Sequence, residues 1–305
     1  MANFRLATRT LQEIDHMLEL DGGARYRGWL QKVLPTMGDA YRTEEESFRS
    51  HMGASLMGDE CARKIYYGWR WTLKPSFPGR ILRLFNRGHL EEARFISLLL
   101  MIGCDVRQQD GNGKQFRISF GDGHGGGSGD GVAKGLPDLD PNTWCLLEFK
   151  THNDASFKKL VKEGVRSAKF EHYVQMQLYM LRMGLPIAMY GAVNKNDDSL
   201  HLELVELNTE VAEQFLNRGE QLVRMRTPPK RMSESPGFYK CKWCDMHSVC
   251  HGSKRPAVNC RTCVFAEAAF TGDGQGRWKC NQHKCEITNE IQQKGCSLYQ
   301  QDKDL

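Results

Sequence analysis

The chain has 305 residues, of which 40% are hydrophobic and 26% are charged, a composition that excludes a wholly disordered protein. Its formal net charge of +5 permits a polyanionic partner without requiring one. The longest apolar run, residues 98–102, is far shorter than the ~20 residues that cross a bilayer. The N-terminus has no apolar signal-peptide core. We therefore expect a soluble protein of a reducing cytoplasm that does not act at a membrane.

The predicted elements alternate between helices and strands along the chain. Residues 1–50 are polar and favour helices, with breaks at Gly22-Gly23 and at residues 35–38. The Gly-rich residues 121–129 predict a loop. Further helices are predicted at residues 55–68, 80–102, 154–163, 169–183 and 209–225, and strands at residues 106–110, 115–120, 130–134, 144–150, 187–193 and 200–207. This order indicates an α/β fold with a mixed central sheet flanked by helices.

A carboxylate and lysine cluster is the strongest chemical signal. The period of a strand places Glu148 and Lys150 on one face, and Asp130 begins the neighbouring strand. Two carboxylates supply the hard oxygen ligands that Mg²⁺ or Mn²⁺ takes, and a lysine beside them can hold a water. The alternative is a surface ion pair between Glu148 and Lys150. Asp138 and Asp140 compete with Asp130, but their Pro-flanked turn is typical of solvent-exposed aspartates.

With Asp130 and Glu148-x-Lys150 in this order, the sequence resembles the PD-(D/E)xK nuclease superfamily. Its RecB-like and lambda-exonuclease-like branches also carry a helix with Gly followed four residues later by Glu or His, and a later Gln-x-x-x-Tyr. The matching residues here are Gly88, Glu92, Gln175 and Tyr179. The resemblance covers roughly residues 61–250, and it implies a restriction-endonuclease-like core.

The same resemblance implies roles for individual residues. Asp130 and Glu148 would bind Mg²⁺ or Mn²⁺, with Glu92 completing the site directly or through water. Lys150 would position the nucleophile, and Gln175 and Tyr179 would orient the DNA strand or the lysine. Alternatives remain on both helices: Glu91 or His89 in place of Glu92, and Gln177 beside Gln175.

Eleven cysteines are unevenly distributed, and most of them follow residue 240. An odd number in a cytosolic chain indicates thiolate metal sites rather than a disulfide framework. Cys104 and Cys145 stand alone among apolar neighbours and are interpreted as small buried hydrophobic residues. The remaining cysteines form two groups.

In the first group, Cys241-x2-Cys244-x5-Cys250 needs a fourth ligand. With the distant Cys61, it resembles the iron–sulfur nucleases of the RecB-like group. That resemblance implies a 4Fe–4S cluster that joins the two ends of the nuclease domain. Zinc is the alternative, with His247 as a substitute ligand.

The second group predicts a zinc site, because a segment of about forty residues builds little core without a metal. The favoured ligands are Cys260, Cys263, Cys280 and Cys296, with His283 or Cys285 as alternatives.

Three domains follow from these patterns: a helical N-terminal region (1–54), a nuclease domain with an iron–sulfur clamp (55–252) and a zinc-binding module (253–305). We expect a Mg²⁺- or Mn²⁺-dependent DNA exonuclease. The layout is similar to phage exonucleases of replication, recombination or host-DNA degradation, which implies the cytoplasm of a bacterial host.

Expected partners are single-stranded DNA or DNA with free ends, and phage replication or recombination proteins. The alternatives are a non-catalytic DNA-binding scaffold and a structure-specific endonuclease. Basic and aromatic side chains near the first cysteine are candidate DNA contacts, with an ordinary solvated helix face as the alternative: Arg63, Tyr66, Trp69, Arg70, Arg83 and Arg87.

Overall fold

The computed structural model describes residues 4–43 and 48–305, which form two units. The first unit contains Phe77–Ile118, Ser128–Ala212 and the described part of residues 1–44. The second unit contains Ser119–Gly127, Glu213–Leu305 and the described part of residues 45–76. Each unit is assembled from several chain segments. The predicted domains 1–54, 55–252 and 253–305 divide the chain into contiguous segments instead, and their boundaries stay a prediction.

Helices and strands alternate along the described residues. The helices are α1 (Thr8–Leu20), α2 (Ala24–Val33), α3 (Gly38–Tyr41), α4 (Ala62–Trp69), α5 (Gly79–Met101), α6 (Asp154–Ala168), α7 (Phe170–Met183), α8 (Thr209–Arg224), α9 (Tyr239–Lys242), α10 (His247–Cys250) and α11 (Asn289–Lys294). The strands are β1 (Arg5–Leu6), β2 (Met52–Gly53), β3 (Asp105–Arg107), β4 (Arg117–Phe120), β5 (Gly125–Ser128), β6 (Gly131–Lys134), β7 (Cys145–His152), β8 (Ile187–Asn194), β9 (Leu200–Glu206), β10 (Ala266–Ala268), β11 (Trp278–Cys280) and β12 (Cys285–Ile287). Among these described helices, none has the length and apolar character needed to cross a membrane.

The first unit is built on a six-stranded sheet in the order β1-β9-β8-β7-β6-β3. β7 and β8 run parallel, whereas β6–β7 and β8–β9 are antiparallel, so the sheet is mixed. Helices pack on the sheet, with α5 and α7 both against β7. The predicted fold class is therefore confirmed: a mixed α/β fold with a central sheet flanked by helices, consistent with a restriction-endonuclease-like core.

The central strand β7 separates the core from the candidate site by simple alternation. Cys145, Leu147 and Phe149 belong to the hydrophobic core of the first unit. Phe149 stacks on Phe95 of α5, with ring centroids 4.7 Å apart. The intervening positions, including Glu148, point to the opposite face because successive side chains of a strand alternate. The helix prediction for residues 80–102 agrees with α5 to within one residue at each end.

Two predicted elements differ from the structure. The Gly-rich segment was expected to be a loop, but Gly125–Ser128 form β5, which pairs in parallel with β2. A Cβ atom at Gly125 would overlap the Phe120 ring, so glycine is required here by side-chain packing. The helix predicted from residue 55 begins at Ala62, after a 3₁₀ turn at Ala54–Leu56. The backbone N–H of Cys61 donates to Asp59 Oδ1 (2.8 Å), which fixes the entry to α4.

Arg261 lies at the centre of the second unit and is fully buried. Its guanidinium donates to the backbone oxygens of Trp69 (3.0 Å) and Ser50 (2.7 Å). Its guanidinium carbon, Cζ, lies 3.8 Å from the centroid of the Trp71 ring and 4.7 Å from the centroid of the Trp278 ring. Burial lowers the pKa of this guanidinium well below its usual value. Within the second unit, the segment after residue 253 therefore shares a core with residues 48–76.

Replacing Arg261 by methionine is expected to lower the free energy of unfolding by about 3 kcal/mol, because each buried carbonyl left without a donor costs ~1–3 kcal/mol. Urea unfolding followed by tryptophan fluorescence measures the change. The control is Arg255→Met, at an exposed arginine of the same unit, which should unfold as the unchanged protein does. Equal unfolding midpoints for Arg261→Met and the control would contradict the assigned role.

Candidate active site

The structure brings Asp130, Glu148 and Lys150 together. Gly131 pairs with Leu147 in the β6–β7 register, which places Asp130 beside the middle of β7. The backbone N–H of Phe149 donates to Asp130 Oδ2 (2.8 Å). Glu148 is 1% exposed, and its Oε1 is ion-paired with Lys150 Nζ. The hairpin joining β6 to β7 thus positions all three side chains.

Helix α7 contributes two further predicted residues in different ways. Gln175 Nε2 donates to Glu148 Oε2 (3.0 Å), so each carboxylate oxygen of Glu148 has a donor. One turn later, the Tyr179 hydroxyl donates to the backbone oxygen of Ser128 (2.7 Å) and so braces the segment that carries Asp130. Gln177 is turned away from the site, because its Nε2 donates to the Glu206 carbonyl (3.0 Å).

The structure distinguishes the acids of α5. Glu92 and Asp130 line one cavity of about 230 Å³, together with His89. Glu92 Oε1 lies 3.5 Å from His89 Nδ1, and this carboxylate raises the pKa of the imidazole, although burial opposes the shift. Glu91 instead accepts from Arg94 Nη1 (3.1 Å). Of Glu91 and Glu92, the cavity therefore contains Glu92.

The competing aspartates of the Pro-flanked turn have other partners. Asp138 Oδ2 accepts from the backbone N–H of Thr10 (2.7 Å), and its Oδ1 accepts from the N–H of Arg9 (3.1 Å), so Asp138 caps the start of α1. Asp140 Oδ1 accepts from the backbone N–H of Asn142 (2.9 Å) within its own turn. Asp130 is the aspartate that lies against Glu148.

Electrostatics in the site favour a cation. Burial and then the Glu148 carboxylate raise the pKa of Asp130 well above its usual value. Burial would lower the pKa of Lys150, but the carboxylates of Glu148 and Asp130 outweigh it, so this pKa is raised and the ammonium stays charged. The oxygen donors and the cost of holding like charges together fit Mg²⁺ or Mn²⁺.

Within residues 4–43 and 48–305, no three His, Cys, Asp or Glu side chains stand in ligand geometry for a metal ion. Here the Glu148 oxygens are engaged by Lys150 and Gln175, and Asp130 is engaged by a backbone N–H. The Lys150 ammonium thus supplies the positive charge nearest to Glu148. The metal-ligand roles of Glu92, Asp130 and Glu148 stay predictions.

A buried polar network that the sequence interpretation missed adjoins these residues. The Tyr190 hydroxyl lies 2.9 Å from His152 Nε2 and 2.8 Å from His172 Nδ1. Tyr190 is opposite Glu148 in the β7–β8 register, and His152 follows Lys150 by two positions. His172 precedes Gln175 by three residues on α7. The signal that would have found them is the continued period, Glu148-x-Lys150-x-His152.

Both histidines of this network stay neutral at physiological pH. Burial first, and then the charge of Lys169, lower the pKa of His152 to about 4. Burial and the charge of Lys150 lower the pKa of His172 to about 2. A hydroxyl donates only one hydrogen bond, so Tyr190 donates to one imidazole and accepts from the other. The network therefore joins α7 to β7 and β8 through uncharged hydrogen bonds.

Replacing Tyr190 by phenylalanine is expected to destabilise the protein by ~1–3 kcal/mol, because two buried imidazole nitrogens lose their partner. It should also lower kcat for the reaction proposed below more than it changes KM, since Gln175 and Glu148 would be held less firmly. Urea unfolding and steady-state kinetics measure these effects. The control is Tyr26→Phe, a half-buried tyrosine on α2, which should leave kcat unchanged; unchanged stability in Tyr190→Phe would contradict the network.

The first cysteine group converges in the second unit, although its members are far apart in sequence. Burial and then the Cys61 thiolate raise the pKa of Cys241, and the Cys250 thiolate adds to the effect. Cys61 also raises the pKa of Cys244, after burial. All four are free thiols. The electrostatic effect of Cys61 thus reaches Cys241 and Cys244, and the binding of a metal by these four residues stays a prediction.

The second cysteine group lines a cavity of about 300 Å³ in the same unit. All the predicted and alternative ligands are among its lining residues: Cys260, Cys263, Cys280, His283, Cys285 and Cys296. His283 Nε2 lies 3.7 Å from Cys296 Sγ, and Cys285 is opposite Cys280 in the β11–β12 register, so both alternatives lie beside members of the favoured set. Cys104 and Cys145, which were interpreted as buried hydrophobic residues, are buried in the core of the first unit.

Most of the candidate DNA contacts near the first cysteine are engaged within the protein. Tyr66, Trp69 and Arg70 are buried. Arg63 donates to the Tyr67 hydroxyl (2.6 Å) and to the Pro229 carbonyl (2.8 Å). The expectation is wrong for Tyr66, Trp69 and Arg70, because these side chains are packed inside the second unit. Arg83 and Arg87 of α5 are exposed.

Solved structures that are similar to the chain include the three described next, while no family model and no curated protein matches the chain. The protein SSO0001 is 12% identical, with 72% of this chain and 95% of that chain covered, at a TM-score of 0.39. LHK-Exo, an alkaline exonuclease from Laribacter hongkongensis, is 16% identical, with 65% of this chain and 90% of that chain covered, at a TM-score of 0.40. Its complex with dAMP is also 16% identical, with 57% and 86% covered, at a TM-score of 0.40. At these values the functional interpretation rests on the geometry of the site.

Proposed function

We propose that the protein is a deoxyribonuclease that hydrolyses phosphodiester bonds with the help of Mg²⁺ or Mn²⁺. The observation that carries the proposal is the convergence of Asp130, Glu148 and Lys150 beside a cavity that also contains Glu92. Buried acids of like charge are costly to hold together. A divalent cation, which removes that cost, is the cofactor that this set of oxygens fits.

In this proposal each side chain has a defined role. Asp130 and Glu148 would hold the metal, with Glu92 completing the site directly or through water. When bound, a divalent cation would supply a water of lowered pKa and neutralise charge on the phosphate. Lys150 positions the attacking water and offers positive charge to the phosphate, since its raised pKa keeps it protonated. Gln175 fixes the Glu148 carboxylate, and Tyr179 holds the segment before Asp130.

We further propose that the enzyme is an exonuclease acting on single strands or on DNA with free ends. Support comes from the Gly88, Glu92, Gln175 and Tyr179 pattern of RecB-like and lambda-type exonucleases. A role with phage replication or recombination proteins, or in host-DNA degradation, belongs to the same proposal.

End-labelled linear DNA and covalently closed circular DNA, single- and double-stranded, test this proposal with and without Mg²⁺ or Mn²⁺. Metal-dependent release of mononucleotides from linear DNA alone is the expected result. Cleavage of closed circles would identify an endonuclease. Binding without hydrolysis under every condition would identify a non-catalytic scaffold and would refute the enzymatic proposal.

For the cysteines we propose a 4Fe–4S cluster on Cys61, Cys241, Cys244 and Cys250, and zinc on Cys260, Cys263, Cys280 and Cys296. The effect of Cys61 on the pKa values of Cys241 and Cys244, and the cavity that the second group lines, support two separate sites. Iron and zinc contents of anaerobically purified Cys61→Ser and Cys296→Ser proteins provide the test. Each variant should lose only its own metal, and the control Cys104→Ala should lose neither. Zinc without iron in the unchanged protein would refute the cluster.

A further inference from the structure

The segment around Cys241 exposes two large aromatic rings. Trp243 is 80% exposed and Tyr239 is 67% exposed, the highest values among the large hydrophobic side chains in the part of the chain that the structure describes. Folding normally buries aromatic rings of this size, as it does for Trp69, Trp71 and Trp278 in the same unit. We name residues 239–243 the aromatic knuckle. Most of the surface of both rings is therefore open to a partner.

Each ring of the knuckle has a lysine side chain beside it. Lys242 is exposed, and its Nζ lies 5.1 Å from the centroid of the Trp243 ring. Lys240 lies 5.6 Å from the Tyr239 ring and is ion-paired with Glu60. Residues 226–255 carry seven Lys or Arg and two Asp or Glu. Arg226, Arg231 and Lys240 are ion-paired with carboxylates. The exposed Lys242 is therefore the cation of the knuckle that a phosphate can reach.

Exposed rings beside cations are the combination that binds single-stranded nucleic acids, because unpaired bases stack on the rings and phosphates pair with the cations. A DNA duplex keeps its bases stacked internally and offers these rings no base faces. An acidic peptide would satisfy Lys242 but would leave both rings in water. The occupant that uses every group of the knuckle is a single strand.

We propose that the aromatic knuckle is a single-stranded DNA binding surface, in which Trp243 and Tyr239 stack on bases and Lys242 contacts a phosphate. This inference deepens the proposed deoxyribonuclease function and rests on it. The knuckle adds a contact outside the candidate active site, carried by the short helix α9 and Trp243, which immediately follows it. Base stacking accounts for binding without sequence preference.

The test measures binding by fluorescence anisotropy in full-length protein carrying Glu148→Ala, so that no substrate is consumed. The probes are labelled oligothymidine of about 20 nucleotides and a duplex of equal length. This length exceeds the ~4–16 nucleotides that a single-strand-binding OB fold covers. Trp243→Ala should weaken oligothymidine binding at least about tenfold, the equivalent of ~1.4 kcal/mol. Trp243→Tyr, which keeps a ring, should retain binding within about threefold of the parent.

The phosphate contact has its own test. Lys242→Gln should reduce the slope of log affinity against log salt by ~0.7 on the single strand. The matched controls are Lys294→Gln and Val264→Ala, at exposed positions of the same unit, and both should bind as the parent does. If Trp243→Ala does not fold, tryptophan fluorescence decides: oligothymidine should quench the parent and should not quench Trp243→Phe to the same extent.

Two results would overturn the proposal. The first is that Trp243→Ala binds oligothymidine within twofold of the parent. The second is that Trp243→Ala weakens single-strand binding and duplex binding equally. Metal-dependent hydrolysis by the protein with intact Glu148 separates the two ideas. An active nuclease whose binding ignores Trp243 refutes the knuckle alone, whereas absence of hydrolysis and of all DNA binding refutes the deoxyribonuclease function as well.

Discussion

Replacing Glu148 by alanine is expected to reduce metal-dependent DNA hydrolysis at least ~10²-fold while leaving DNA binding largely intact, because groups that act as one unit fail together. The physical reason lies in the contacts of this carboxylate. One oxygen is paired with Lys150 and the other accepts from Gln175. Its loss removes a proposed metal ligand and releases both neighbours. Single-turnover hydrolysis of end-labelled DNA measures the loss.

Asp130→Asn and Lys150→Met should each cause a loss of hydrolysis of similar size. Combining either of them with Glu148→Ala should reduce hydrolysis little further than the single substitutions do. The matched control is Glu163→Ala, an exposed glutamate on α6, which should retain full activity. Wild-type rates in Glu148→Ala would remove the assignment of the active site, and simple multiplication of the single effects would show that the three residues do not act together.

Asp130→Asn is expected to stabilise the metal-free protein even though it inactivates the enzyme. The carboxylate is held near Glu148, which together with burial raises its pKa. Asparagine removes the like charge and keeps an oxygen for the Phe149 N–H. A gain of ~1 kcal/mol corresponds to a melting temperature higher by ~2–4 °C in a domain of this size. Calorimetry in the presence of a chelator measures the change.

The pH dependence of this gain has a definite sign. A carboxylate whose pKa is raised on folding contributes stability that is full below its ordinary pKa of 3.8 and is lost as pH rises through the folded pKa. The advantage of Asp130→Asn should therefore grow as the pH rises above 3.8 and fade as the pH falls back towards 3.8.

Added metal should make the unchanged protein more stable than Asp130→Asn, which reverses the order expected without metal. A ligand stabilises the folded state in proportion to the logarithm of its concentration over Kd. Millimolar Mg²⁺ or Mn²⁺ should therefore raise the melting temperature of the unchanged protein more than that of Asp130→Asn. The metal effect should weaken on acidification because binding requires ionised carboxylates. A metal effect of equal size in both proteins would show that Asp130 is not a ligand.

Local sequence patterns predicted the elements of the first unit well. The period of a strand placed Glu148 and Lys150 on one face of β7, and the helix predicted at residues 80–102 matches α5 to within one residue at each end. The strand pair carrying Asp130 and Glu148 followed from the same alternation. The brace from Tyr179 to Ser128 could not be predicted, because it depends on where helix α7 lies over the sheet.

The misses have a common physical cause. Periodicity gives the face of an element but not what covers it, so Tyr66 and Trp69 were expected at a solvated surface and are buried. The glycines of the strand Gly125–Ser128 have no side chains, so they show no alternating pattern in the sequence. The need for glycine at position 125 becomes clear only from the Phe120 ring that packs over it. His152 and His172 lay within recognised patterns, yet their connection requires Tyr190 of a parallel strand.

The alternation in β7 also limits which sequence changes this protein can accept. Phe149 belongs to the core, and its neighbours Glu148 and Lys150 belong to the candidate site, so one strand serves both. Deleting or inserting a single residue between Cys145 and His152 would exchange the two faces, placing charges in the core and apolar groups in the site. Length variation in this strand should therefore abolish folding and catalysis together. Point substitutions at alternate positions of β7, in contrast, can change catalysis while folding is retained, or the reverse.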